Sequence, residues 1–200
     1  YFRAPARKPL YFQAVDGAGH AVHTMRSATY LQPGERRGCV GCHEPMSTAV
    51  ASGNPLATQR PPSVIEPGPE GTRPLNFVRL VQPVLDRHCV RCHDGGTGPG
   101  KSRPTLTGEP SGAFSRSYES VQPFIRWYEW GAKSIAQIVT PPGRGGADES
   151  PIVKILDDKN HSEVRLPGDD RLRLIVWLDA NAPFYGTYTP EEQQAQFKPK

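Results

Sequence analysis

Two pentapeptides, Cys39-Val40-Gly41-Cys42-His43 and Cys89-Val90-Arg91-Cys92-His93, hold all four cysteines of this 200-residue chain. In each, two thiols three positions apart are followed directly by an imidazole. C-x-x-C-H is the pattern of covalent c-type haem attachment, in which the thiols add to the haem vinyl groups and the imidazole binds iron from the same helical turn. The other readings are weaker. Zinc ribbons set their two knuckles about 15–20 residues apart, whereas forty-six residues separate Cys42 from Cys89. A thioredoxin-like pair needs a βαβ pattern, which is absent, and a disulfide framework gives no reason for a histidine after each pair. Two haem c groups are expected, with Cys39, Cys42, Cys89 and Cys92 as thioether donors and His43 and His93 as iron ligands.

The opposite axial ligand decides what each iron does, because a second His or Met closes the site for electron transfer and an open position admits small molecules. Four histidines remain: His20, His23, His88 and His161. His88 directly precedes Cys89 and is poorly placed to cross the ring. His161 is the candidate for the second haem, since it is the remaining C-terminal histidine and sits at a helix end. A solvated loop histidine is its bland alternative. For the first haem, His23 and Met25 lie two apart on a strand and share one face, so strand geometry does not choose between them. Met25 as an ordinary core residue, His20 and Met46 as bystanders, and an open iron all stay in play.

The elements that must position these residues are short. Alternating runs at Tyr11–Val15 and Ala21–Met25 around Asp16-Gly17-Ala18-Gly19 predict a β-hairpin. From Cys42 to about Thr72, Pro, Gly, Ser and Thr dominate, which reads as loop over the first haem. Phe77, Leu80, Val81, Val84 and Leu85 recur at helical spacing and lead into Cys89, with Pro83 expected to kink or restart the helix. Residues 94–111 read as loop. Tyr118 to Ile138 carries a helix-like aromatic run, Phe124, Trp127, Tyr128 and Trp130, read as core. Ser150-Pro151 reads as an N-cap and first helical proline, opening a helix through Leu156. Asp169 and Asp170 open a last helix that ends near Asn181, and the tail from Pro190 is polar. The expected class is mainly α with a small β-hairpin and extensive loops, dihaem cytochrome c-like. A first segment, 1–72, carries the first haem and a second, 73–200, the other, the two forming one compact unit.

Composition supports a thin polypeptide core. Only 36% of residues are hydrophobic, while there are 20 glycines and 22 prolines, so a large buried cofactor is a reasonable source of cohesion. The longest apolar run, Leu174 to Leu178, is far short of a membrane span. A net charge of +4, spread rather than clustered with aromatics, makes nucleic acid a poor partner. Arg36, Arg37 and Arg91 are candidate propionate partners, with a solvated role at least as natural. Covalent haem attachment is completed outside the bacterial cytoplasm, so a periplasmic or extracellular location is expected. Beginning at Tyr1, the chain is expected to be a mature or excised product.

Three stretches, TMRSATYLQPGERRGCVGCHEP (Thr24 to Pro45), LVQPVLDRHCVRCH (Leu80 to His93) and SPIVKILDDKNHSEVRLPGDDRLRLIVWLDANAPFYGTY (Ser150 to Tyr188), together resemble the dihaem c-type region of the hydrazine synthase alpha subunit family and of related planctomycete-type exported proteins. The resemblance implies a bis-histidine second haem, with His93 proximal and His161 distal. At the first haem, that family places a tyrosine four residues after the motif histidine on iron and diverts the histidine to zinc. Here that position is Ser47, which cannot replace a phenolate. The catalytic arrangement is therefore not carried over, and His43 is expected on iron with Met25, or His23 in its place, opposite. The leading expectation is a dihaem cytochrome exchanging single electrons with redox partner proteins. The alternatives are an enzyme acting on a small nitrogen or oxygen species at an open first haem, and a self-associating module that stacks haems into a conduit.

Overall fold

A computed structural model describes residues 1–25, 27–39, 47–48, 53–69, 71–96, 103–128, 141–161 and 164–195. It combines helices, about 33% of the chain, with small sheets and long loops. The expectation of a mainly α chain with one hairpin is thereby corrected to a mixed α/β one, because three antiparallel strand pairs are present among the described residues. Contacts divide the chain into two compact units, one of residues 1–12 and 25–67, the other of residues 13–24 and 68–200.

In the first unit, β1 (Pro9–Leu10) pairs with a strand at Thr29–Tyr30, and Phe2 bridges Ser63 in parallel. Beyond that ladder, Arg37 bonds Glu35 and the Thr29 hydroxyl just before Cys39. A 3-10 turn, Leu56–Gln59, interrupts the expected loop.

The second unit begins with the expected hairpin, β2 (Gln13–Val15) against β3 (Ala21–Thr24), with an irregular register between Ala14 and Val15. Its turn is held by Asp16, whose Oδ1 accepts from the amides of Ala18 at 2.8 Å and His20 at 3.0 Å. The Thr29–Tyr30 strand is β4. Helix α1 (Phe77–Leu80) is capped by Asn76, whose Oδ1 accepts from Arg79 N at 2.9 Å. Pro83 brings no N–H to continue the ladder, so the chain restarts at Val81 as α2 (Gln82–His88) with the proline in its first turn. The restart lets Phe77, Leu80, Val81, Val84 and Leu85 all be buried. A tight ladder, β5 (Pro110–Ser111) with β6 (Phe114–Ser115), then leads into α3 (Arg116–Val121).

The helix expected across Tyr118 to Ile138 is shorter. After α3 comes one 3-10 turn at Gln122–Phe124, where Pro123 stops the α ladder, and the chain is extended at Ile125. Trp127 is 37% exposed rather than core, and Trp130 lies outside the described residues. Helices α4 (Gly146–Glu149), α5 (Pro151–Asp157) and α6 (Gly168–Asp179) follow. Ser150 precedes α5 as expected but does not cap it with its side chain. Its hydroxyl instead donates to Gly146 O at 2.6 Å and accepts from Arg126 N at 2.9 Å. The polar tail opens with a further helix, α7 (Pro190–Ala195).

The core of this unit is an aromatic stack. Phe77 lies 5.1 Å from Tyr118 and 5.3 Å from Trp177, and Tyr118 lies 4.8 Å from Phe184, centre to centre. Trp177 donates to Pro183 O at 2.9 Å and Tyr118 to Ala182 O at 3.0 Å, so both polar tips are satisfied inside the core. Burial pushes the Tyr118 hydroxyl up to about 12.

Candidate functional site

The end of α2 passes into the second cysteine motif as a series of hydrogen-bonded turns. Cys89 N donates to Leu85 O at 2.8 Å, and His93 N reaches Cys89 O at 3.1 Å and Val90 O at 3.0 Å. Both thiols and the imidazole therefore spring from a continuous turn, as covalent attachment beside an iron ligand requires. The turn is anchored from outside by Asp170 at the start of α6. Arg87 reaches Asp170 at 2.7 Å and His88 Nε2 reaches it at 2.8 Å. Burial opposes ionisation of Asp170, but hydrogen bonds from Arg87 and His88 outweigh it and hold the carboxyl below its ordinary range. His88 is thereby committed to Asp170.

Downstream, Leu106 N donates to His93 O at 2.8 Å, and His93 Nδ1 lies 3.0 Å from Pro104 O. A carbonyl only accepts, so Nδ1 carries the proton and Nε2 keeps its lone pair for a metal. This partner was not legible in the sequence, since any residue supplies a carbonyl.

The opposite wall comes from α5. Ile152, Ile155 and Leu156, at helical i, i+3, i+4 spacing, share a face and line a cavity with Leu85, Leu106, Val121, Phe124, Val164 and Leu174. Cys89, Cys92, His93 and His161 complete the lining of this cavity, a narrow slot of about 80 Å³. After α5 a turn closes at Asp158, which accepts from His161 N at 3.0 Å and aims the histidine inward.

His93 and His161 then face each other with ring centres 6.2 Å apart and planes inclined by 41°. Two imidazoles on opposite sides of one metal, with bonds of about 2.0–2.1 Å, place their ring centres roughly 6 Å apart. His161 Nδ1 is buried and has no hydrogen-bond partner among the described residues. A dry ring nitrogen left unpaired costs about 1–3 kcal/mol, and an imidazole whose ring is set toward a metal fits that environment. The donors, the apolar walls and the spacing all fit a haem held between His93 and His161. Cys89 is half-buried and Cys92 exposed. Burial, with the neighbouring Cys92 thiol, pushes Cys89 up to about 11.

The first motif is described only at Cys39, which is exposed. Cys42, His43 and Met46 lie outside the described residues. His23 sits on β3 opposite Ala14, and Met25, whose amide donates to Phe12 O at 2.9 Å, follows the strand. The two candidates, expected to share a face, belong to different compact units. His20 pairs with Asp148 on α4. Among the described residues, no group of three or more His, Cys, Asp and Glu side chains is placed to hold a bare metal ion.

A family described as "Hydrazine synthase alpha subunit middle domain" matches residues 1–44. Hydrazine synthase subunit alpha of Kuenenia stuttgartiensis is 25% identical over 167 residues, covering 56% of this chain and 21% of that protein. The chain is similar to hydrazine synthase alpha. A solved structure of Kuenenia stuttgartiensis hydrazine synthase superposes with a TM-score of 0.51 at 21% identity, over 87% of this chain and 30% of that one. At that identity the superposition speaks for a shared fold. This chain spans about a fifth of the length of the hydrazine synthase subunit it matches.

Proposed function

We propose that this chain is a dihaem c-type cytochrome, or the dihaem portion of a longer protein, that passes single electrons between redox partners. The observation that carries the reading is the pair His93 and His161, 6.2 Å apart across a cavity that Cys89 and Cys92 also line. A c-type haem, when bound, supplies a one-electron ferric/ferrous couple. Cys89 and Cys92 hold one edge of the group. The Pro104 carbonyl fixes the proton on His93 Nδ1, and α5 delivers His161 and excludes water with Ile152, Ile155 and Leu156. Two protein ligands leave that site closed to small molecules. At the other motif Cys39, Cys42 and His43 would be the corresponding donors, with Met25, or His23 in its place, as a further ligand. Methionine there would raise that potential above the bis-histidine one. Attachment of this kind is completed after export, which places the protein in the periplasm or outside the cell.

The holoprotein is expected to give a pyridine haemochrome of two haems c per chain and a low-spin ferric electron paramagnetic resonance spectrum with one bis-histidine component. A spectrum with no such component, or a chain without covalent haem after expression with a c-type maturation system, overturns the reading. The similarity to a protein named for hydrazine synthesis favours a second reading, reaction of a small nitrogen species at an open first haem. Carbon monoxide binding by the reduced protein, with a high-spin ferric signal, would support it.

A further inference from the structure

The cavity of the second motif is not isolated. A second, open cavity of about 850 Å³ shares Leu156, His161 and Val164 with its lining. Its remaining walls carry Asp157, Asp158, Lys159, Arg165 and Arg171, and neither Cys89 nor Cys92 borders it. Some of these charges are already spent. Arg171 grips Asp157 with two bonds of 2.8 and 3.0 Å. Asp158 Oδ1 accepts from the backbone and side-chain nitrogens of Asn160 at 2.8 and 3.0 Å. Lys159 and Arg165 remain, and neither makes a hydrogen bond or ion pair among the described residues.

The chemistry of haem c gives these two cations a role. Its thioether bonds lie on one edge of the ring and its two propionates on the opposite edge. A group fastened at Cys89 and Cys92 directs its carboxylates away from both cysteines. Arg91, between the cysteines, starts from the thioether edge and is on the wrong side. The second cavity adjoins the first at Leu156, His161 and Val164, is not lined by the cysteines and is lined by the cations. We propose that Lys159 and Arg165 form the propionate-binding site of the haem held by His93 and His161, an assignment that rests on the dihaem reading above. Arg165, with its planar fork, is the main carboxylate partner, and Lys159 adds a point charge.

Two consequences separate this role from a solvated one. A cation beside the propionates favours the reduced haem, so its removal lowers the potential. It also keeps the propionates ionised, so its removal raises the pH at which the potential begins to respond to protonation.

The test compares the holoprotein with Lys159→Gln, Arg165→Gln, the double variant, Arg165→Lys, and Arg79→Gln as an exposed cation outside both cavities. Haem content is read by pyridine haemochrome and by mass, and the potential of the bis-histidine component by titration across pH. With two haems present, each single Gln variant is expected to shift that potential downward and the pH-dependent step upward. The double variant should shift both further, Arg165→Lys should restore most of the loss, and Arg79→Gln should match the parent. Two haems with parental potentials in the double variant would overturn the propionate assignment while leaving the dihaem reading standing. Absence of haem from Cys89 and Cys92 in the parent would overturn both.

Discussion

Under the proposed function Cys89 would become a thioether in a place that disfavours its reactive form. Its thiol is half-buried under the α2 end and pushed up to about 11, so at pH 8 about one in a thousand is ionised, against roughly a quarter of an ordinary thiol. The thiolate is the nucleophile, so attachment at Cys89 in the folded chain is slow, and the bond is best made before the core closes. In the haem-free protein, alkylation of Cys89 at pH 8, followed by peptide mass spectrometry, should be on the order of a hundredfold slower than that of an unstructured thiol. Raising the pH to 11 should shrink the difference to about twofold, and denaturant should abolish it. Equal rates at pH 8 in the folded protein would refute the burial account. At this scale C-x-x-C-H suggests its chemistry by residue type, and the structure brings His93 and His161, both singled out from the sequence, face to face. Pro104 and Asp170 were not readable, because a carbonyl has no residue signature and a carboxylate partner is chosen by the fold.

Elements meet at two carboxylates with opposite electrostatics. Asp170 ties the end of α2 to α6 through Arg87 and His88, and is held below its ordinary range. Asp179, at the other end of α6, accepts from Ala21 N of β3 and Ala147 N of α4, each at 2.8 Å, and burial chiefly raises it despite those bonds. A Cβ on Gly146 would run into the Asp179 carboxylate and the Tyr128 hydroxyl, and its φ of 57° already favours glycine. The sign follows from linkage. The Asp170 contribution is present above the ordinary carboxylate pKa and is lost as pH falls through its depressed folded value. The Asp179 contribution is full in acid and diminishes as pH rises from the ordinary value through the raised one. Asp170→Asn should cost about 1–2 kcal/mol near neutrality, the half-exposed Arg87 limiting the loss, and should flatten the acid decline in stability. Asp179→Asn should steepen that decline. Urea unfolding of both variants from pH 3 to 7 checks this, and parallel pH profiles would refute it. The hairpin and the α2 restart were legible because alternation, turn glycines and Pro83 act locally. The aromatic run after Tyr118 misled because Pro123 ends the helix while the same aromatic spacing continues.

For the whole molecule, the question is what fills the space that so lean a chain leaves. With only 36% hydrophobic residues and 42 positions given to glycine or proline, the second unit packs one aromatic core and beside it keeps an apolar cavity walled by Leu85, Leu106, Val121, Ile152, Ile155 and Leu156. Those side chains sit on α2, α5 and the segments between, so an unfilled cavity forfeits contacts on several elements at once. An unfilled apolar cavity does not persist at full cost; the walls relax inward and fixed packing is loosened. The Cys89→Ser/Cys92→Ser protein separates this from a merely redox role. It keeps the first motif, so its haemochrome should fall from two haems to one. Its thermal midpoint should drop, its near-ultraviolet dichroism from Trp177 and Tyr118 should weaken, and a dye of exposed apolar surface should bind while far-ultraviolet dichroism is largely retained. An equal midpoint and unchanged near-ultraviolet signal in a one-haem protein would mean that α2 and α5 hold their places unaided. The second haem would then be a passenger in the fold rather than part of its core.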